Sequence, residues 1–155
     1  MADVSTGTDS ADPYGLDRFV QAQAADYEQA LSEIRGGRKR SHWMWYIFPQ
    51  YEGLGTSPTS RRYAIRSLAE ASAYLSHPVL GPRLLDCAEA AIGLEAESAF
   101  QVFGSPDDMK LQSSATLFAG VSPPGSVFAR LLDKYFRGQR DDNTLRLLNA
   151  TREGG

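Results

Sequence analysis

Apolar residues recur at intervals of three and four in one segment after another and almost nowhere alternate, so this chain is set to pack helices rather than build a sheet. Leu16, Phe19, Val20, Tyr27, Leu31 and Ile34 form the first such face, after a helix-start signal at Asp12-Pro13 and before a stop at Gly36-Gly37. "RRYAIRSLAEASAYL" is a second helical run, which Ser67 and Glu70, spaced as a capping box, can divide in two. Val79, Leu80, Leu84, Cys87, Ala91 and Ile92 make a third face that starts near Pro78, and a short helix is expected around "SAFQVF". His77 reads as a helix-start residue and Cys87 as a small core residue. Beyond them, Ser105 and Pro106 suit the opening of a helix with Asp107 and Asp108 in its first turn. "VFARLLDKYF" and "DDNTLRLL" supply the last two helices, separated by Gly138. The one tempting strand is "WMWYIF".

These elements fit an all-α fold: a single compact orthogonal helical domain of about six to eight helices, with little or no sheet. The 155 residues suffice for one domain, expected over residues 14–150. Residues 1–13, small and polar without periodicity, are expected to be a disordered tail, and residues 151–155 a short C-terminal tail. No apolar run approaches the ~20 residues of a membrane helix, and the N-terminus lacks the basic-then-apolar order of a secretion signal. A cytoplasmic location is the resulting expectation. One cysteine and two histidines exclude an internal disulfide and a cysteine/histidine zinc cage, and no Asp-rich loop calls for magnesium. Neither a metal nor a cofactor is expected.

The distribution of charge is more telling than its sum. The net charge is −3, which argues against nucleic acid as a partner. Residues 38–62, however, hold Arg38, Lys39, Arg40, Arg61 and Arg62 against Glu52 alone, a local charge of +4 that leaves −7 on the remainder. Converging cations on an acidic body attract a phosphate or carboxylate. Within the same stretch, residues 43–51 carry five aromatics. Trp43, Tyr46, Ile47 and Phe48 can fill space between helices. Yet His42, Gln50 and both indole N–H groups need hydrogen-bond partners if buried, and aromatics beside cations can also hold a planar group that bears a phosphate.

Two further segments are candidates. "GLGTSPTS" matches neither nucleotide-binding glycine motif, and is either a tight turn or a loop whose amides, with Ser57, Thr59 or Ser60, bind an anion. In "SPDDMKLQSSATLF", Asp107, Lys110 and Ser114 share a helix face, and the polar run through Gln112, Ser113, Ser114 and Thr116 suggests a semi-buried polar face beside a cavity. Lys110 could bind an anion while Asp107 or Asp108 orients a hydroxyl or water.

With "SHWMWYIFPQ", "GLGTSPTSRRYAI", "AYLSHPVLGPRL", "FGSPDDMKLQSSATLF" and "DNTLRLL" in order, the chain resembles a bacterial family catalogued as a domain of unknown function, number eighteen-ten, some of whose members carry the label calpastatin. The resemblance covers about residues 14–149 and implies a mainly helical fold without an established activity. A weaker likeness of layout links "YLSHPVLGPRLLD" and "VFGSPDD" to small N-glycosidase-like proteins proposed to process ADP-ribose and related ribosides. Here Phe103-Gly104 precede Asp107 and Asp108 and the tryptophan is missing, so no catalytic residue is carried over.

Two functional expectations result. The first is an enzyme acting on a nucleotide-like or phosphorylated glycoside, by N-glycosidic hydrolysis. Arg38, Lys39, Arg40 or Lys110 would hold the anion, Trp43 or Trp45 would stack a base, and Asp107 or Asp108 would position water or stabilise a developing oxocarbenium-like charge. His42, Gln50, Ser57, Ser60, Ser113 and Ser114 would complete the site. The second is a non-catalytic interaction module that uses the aromatic-basic stretch 38–51 and exposes its tryptophans. The oligomeric state is open.

Overall fold

The computed structural model describes residues 12–154, and side chains as far as residue 150. Most of the expected N-terminal tail, residues 1–11, lies outside the described residues. Nine helices occur among them: α1 (Asp17–Arg35), α2 (Met44–Ile47), α3 (Pro58–Arg62), α4 (Leu68–Ser76), α5 (Leu80–Ile92), α6 (Ala99–Phe103), α7 (Asp107–Ala119), α8 (Val127–Phe136) and α9 (Asp142–Gly154). Three of the nine, α2, α3 and α6, are turns of four or five residues, and α2 accounts for the one helix beyond the expected range. The described residues contain no strand. Their one isolated bridge pairs Tyr51 with Ile65 in parallel.

Local chemistry sets where each helix starts. The Asp12 carboxylate accepts the backbone N–H groups of Leu16 and Asp17 and so opens α1. Ser57, Ser67, Ser98 and Ser126 each cap the helix that follows by accepting an amide three residues on. Ser67 thereby splits the second helical run, as its spacing suggests. α5 begins two residues after Pro78, because the His77 ring Nδ1 accepts the amides of Val79 and Leu80. Ser105 caps nothing. The Ser105–Pro106 peptide is cis, and the residue before α7 is Pro106 itself, without a side-chain cap.

α7 runs through the middle of the domain and packs against α4, α6, α8 and α9, while α1 and α5 pair beside it. Its residues Leu111 and Ser113 to Ala119 are all buried. Of the polar run on this helix, Ser113, Ser114 and Thr116 are therefore core residues, while Gln112 lines a cleft with residues 139–143 and Arg146, apart from Asp107 and Lys110. The Ser113 hydroxyl donates to the Met109 carbonyl, and that of Thr116 to the Gln112 carbonyl, each one turn back, which lets polar side chains enter a helical core. Thr116 also accepts the Asp141 amide and so ties the start of α9 to α7. Ser114 is 1% exposed and lies in the same interior.

Close backbone approach fixes α4 against α5. A Cβ built on Gly81 would lie 2.1 Å from the Leu75 carbonyl oxygen, an atom that cannot swing aside. Gly81→Ala is expected to lower stability by about 3 kcal/mol through overpacking. At Gly93, which closes α5 with φ −71°, the nearest atom would be Glu89 O at 3.5 Å, so Gly93→Ala should stay close to the parent protein. Urea midpoints of the two variants measure the difference, and equal midpoints would contradict the close approach.

Candidate functional site

The aromatic stretch folds as an N-terminal approach to the single turn α2, and its two tryptophans therefore diverge. Successive residues of a helix turn through about 100°, so positions two apart face nearly opposite ways. Trp43 points inward and is 1% exposed, with its ring edge-on to Phe103 and its indole N–H donated to Glu33 Oε1 at 2.8 Å. It presents no face to a ligand. Trp45 is half-buried and lines the surface.

Glu33, near the end of α1, organises everything before Trp43. Its two carboxylate oxygens accept the Arg40 and Ser41 amides, the Ser41 hydroxyl, the Trp43 indole and the Gln29 amide, all within 3.0 Å. Burial alone pushes this carboxyl up. The hydrogen bonds from Arg40, Ser41, Trp43 and Gln29 outweigh it and hold the pKa at about 2 instead of 4.5. Nothing in the sequence singled out Glu33. The one available signal was a carboxylate seven residues ahead of a cationic, amide-rich turn.

Beyond this turn the chain meets the start of α7 and closes a cavity of about 310 Å³, lined by Lys39, Arg40, Ser41, His42, Met44, Trp45, Ser105, Pro106, Asp107 and Lys110. Two stretches nearly seventy positions apart thus share one site. Asp107 joins them: Lys39 Nζ lies 2.7 Å from its Oδ2 and Lys110 Nζ 3.5 Å from its Oδ1. Each ammonium also rests on a tryptophan, Lys39 over Trp43 at 5.0 Å from the ring centroid and Lys110 over Trp45 at 4.9 Å. The tryptophans thus serve as platforms for the two lysines. Lys39, only 8% exposed, additionally donates to the Ser41 carbonyl and is spoken for.

The remaining cations are accessible. Arg40 is exposed, and its guanidinium has no hydrogen-bond or ion-pair partner among the described residues. Three cations against one carboxylate give the lining a charge of +2 with His42 neutral. The N-terminal end of α7, thirteen residues long, adds positive partial charge where Ser105, Pro106 and Asp107 meet the cavity.

Other candidates stand apart. Asp108 turns its carboxylate onto the Met109 amide and is not part of the lining. Gln50 and Ser60 line a separate cleft of about 30 Å³ that Trp45 also borders, with Gly55, Arg61 and Tyr63. Ser57 lies outside both, its Oγ holding the Ser60 amide and hydroxyl at the start of the five-residue α3. Ser113 and Ser114 are in the core. No group of three or more histidine, cysteine, aspartate or glutamate side chains among the described residues could hold a metal ion, and no described helix is long and apolar enough to cross a membrane.

A helical domain with one cationic cavity between a one-turn helix and the start of its central helix is the class that fold and site define. The chain belongs to the family described as "Protein of unknown function (DUF1810)", which matches residues 13–148. Among solved structures it is similar to the conserved hypothetical protein Rv1873 from Mycobacterium tuberculosis. The two share 50% identity over 89% of this chain and 99% of that one, with a TM-score of 0.87. No curated protein matches the chain.

Proposed function

We propose that the cavity between residues 39–45 and 105–110 binds a small phosphate-bearing ligand of the nucleotide or phosphorylated-glycoside class. The observation that carries this reading is the unpartnered Arg40 guanidinium, which shares with Lys110 a cavity whose lining is +2. Arg40 offers a planar fork suited to phosphate oxygens, and Lys110 a point charge. Lys39 keeps Asp107 in place.

Glycosidic cleavage asks for more than recognition, namely a carboxyl able to give a proton to the leaving group. Asp107 is engaged by the ammonium groups of Lys39 and Lys110, and no second carboxylate lines the cavity. Recognition is therefore the function proposed, with release of free base or aglycone as an assay for the hydrolytic extension. The interaction-module reading needs both indoles at the surface, and the burial of Trp43 removes one of them.

Isothermal titration with ribose 5-phosphate, adenosine 5′-monophosphate and inorganic phosphate tests the reading. Saturable binding is expected. Arg40→Ala and Lys110→Met should each weaken it by about tenfold to a hundredfold, the range for hydrogen bonds to a charged group. Absence of saturable heat with all three ligands, or unchanged affinity in both variants, would sink it.

A further inference from the structure

Resting on that phosphate site, we infer that the group carrying the phosphate is a hydroxyl-bearing, non-aromatic one, a sugar phosphate rather than a base stacked on Trp45. Trp45 is the one tryptophan that reaches the surface, and its ring is already covered by Lys110. On the cavity side the Lys110 ammonium stands 4.9 Å from the ring centroid, where a base would have to lie. The indole also borders the cleft of about 30 Å³ shared with Gln50, Ser60 and Tyr63, room for a water molecule or so and too little for an aromatic ring. Trp43 is enclosed. No tryptophan face in the cavity is left for stacking.

What remains is polar. His42 and Ser105 are exposed members of the lining, and neither side chain has a partner among the described residues. They can exchange hydrogen bonds with hydroxyl groups while Arg40 and Lys110 hold the phosphate. The volume agrees, since about 310 Å³ lies at the small end of ligand cavities, which run from about 300 to 1,000 Å³.

The same three titrations, on the full chain, decide the matter. Ribose 5-phosphate is expected to bind within fivefold of adenosine 5′-monophosphate and at least fivefold tighter than inorganic phosphate. In Lys110→Ala, which uncovers the indole, both organic phosphates weaken, but the nucleotide gains relative to the sugar phosphate. A nucleotide advantage above fivefold in the parent protein, or an unchanged ratio in Lys110→Ala, overturns the inference. So does inorganic phosphate binding within fivefold of ribose 5-phosphate, because the carrier would then go unread. Each of these outcomes leaves the anion site standing. Loss of binding to all three ligands removes the site itself, so the two failures are distinguishable. Circular dichroism of Lys110→Ala checks that the variant is folded, as expected where the lysine side chain is a quarter exposed.

Discussion

Glu33→Ala is expected to cost about 3 kcal/mol of stability and to abolish ligand binding in the cavity, although Glu33 lines no part of it. The stability loss follows from the donors left behind. The Trp43 indole N–H is buried, and a buried donor without an acceptor costs about 1–3 kcal/mol. The Arg40 and Ser41 amides and the Ser41 hydroxyl lose a charged acceptor as well, at roughly 1 kcal/mol or less each because water can replace it. The binding loss follows from position, since these are the groups that aim Arg40 and His42. Acid should reproduce part of the effect. The folded-state pKa of about 2 lies below the ordinary 4.5, so the carboxylate's contribution is complete above about pH 4.5 and is lost as pH falls toward 2. In Glu33→Gln the slope of stability against pH across that window should be shallower than in the parent. Urea melts at pH 2.5, 3.5, 4.5 and 7 measure it, and parallel profiles for the two proteins would contradict the assignment.

Glu33 also shows where reading a sequence stops. The long helices were legible because their determinants are local: apolar spacing, a serine three residues ahead of an amide, Gly37 with its left-handed φ of 81° after α1. The meeting of the aromatic-basic stretch with the start of α7 was legible as two halves. Each advertised itself by composition, but their union rests on Lys39 and Asp107, whose pairing no local pattern encodes. The tryptophans show how one local decision changes a site. Were "WMWYIF" a strand, Trp43 and Trp45 would share a face. As the approach to a helical turn it sends one into the core and one to the surface, and only the three-dimensional chain tells which. The serines of α7 misled for a different reason, because a hydroxyl can satisfy itself on the carbonyl one turn back and so leave polar sequence inside an apolar core.

Glu70→Ala is expected to destabilise the protein by about 3–5 kcal/mol, the cost of leaving a buried charge without its partner. Glu70 is 2% exposed, with Oε2 on Arg18 at 2.8 Å and Oε1 on the Arg66 amide at 3.1 Å. Buried ion pairs can often be replaced by apolar residues without loss, because the desolvation penalty disappears along with the attraction. This one should resist such replacement. The Arg18 guanidinium also donates to the carbonyls of Tyr14, Gly15, Arg62 and Ala64, and thereby binds the start of α1 to the connection between α3 and α4. That connection carries Ile65, whose backbone bonds to Gln50 and Glu52 hold the far end of the aromatic stretch. The double variant Arg18→Met, Glu70→Leu is therefore expected to remain at least about 2 kcal/mol less stable than the parent, since the carbonyls, unlike the carboxylate, cannot be substituted away. Urea unfolding of both variants discriminates between the two accounts. Recovery of full stability in the double variant would mean that Arg18 serves Glu70 alone, whereas a persistent deficit assigns it to fastening the backbone that holds the far end of the aromatic stretch.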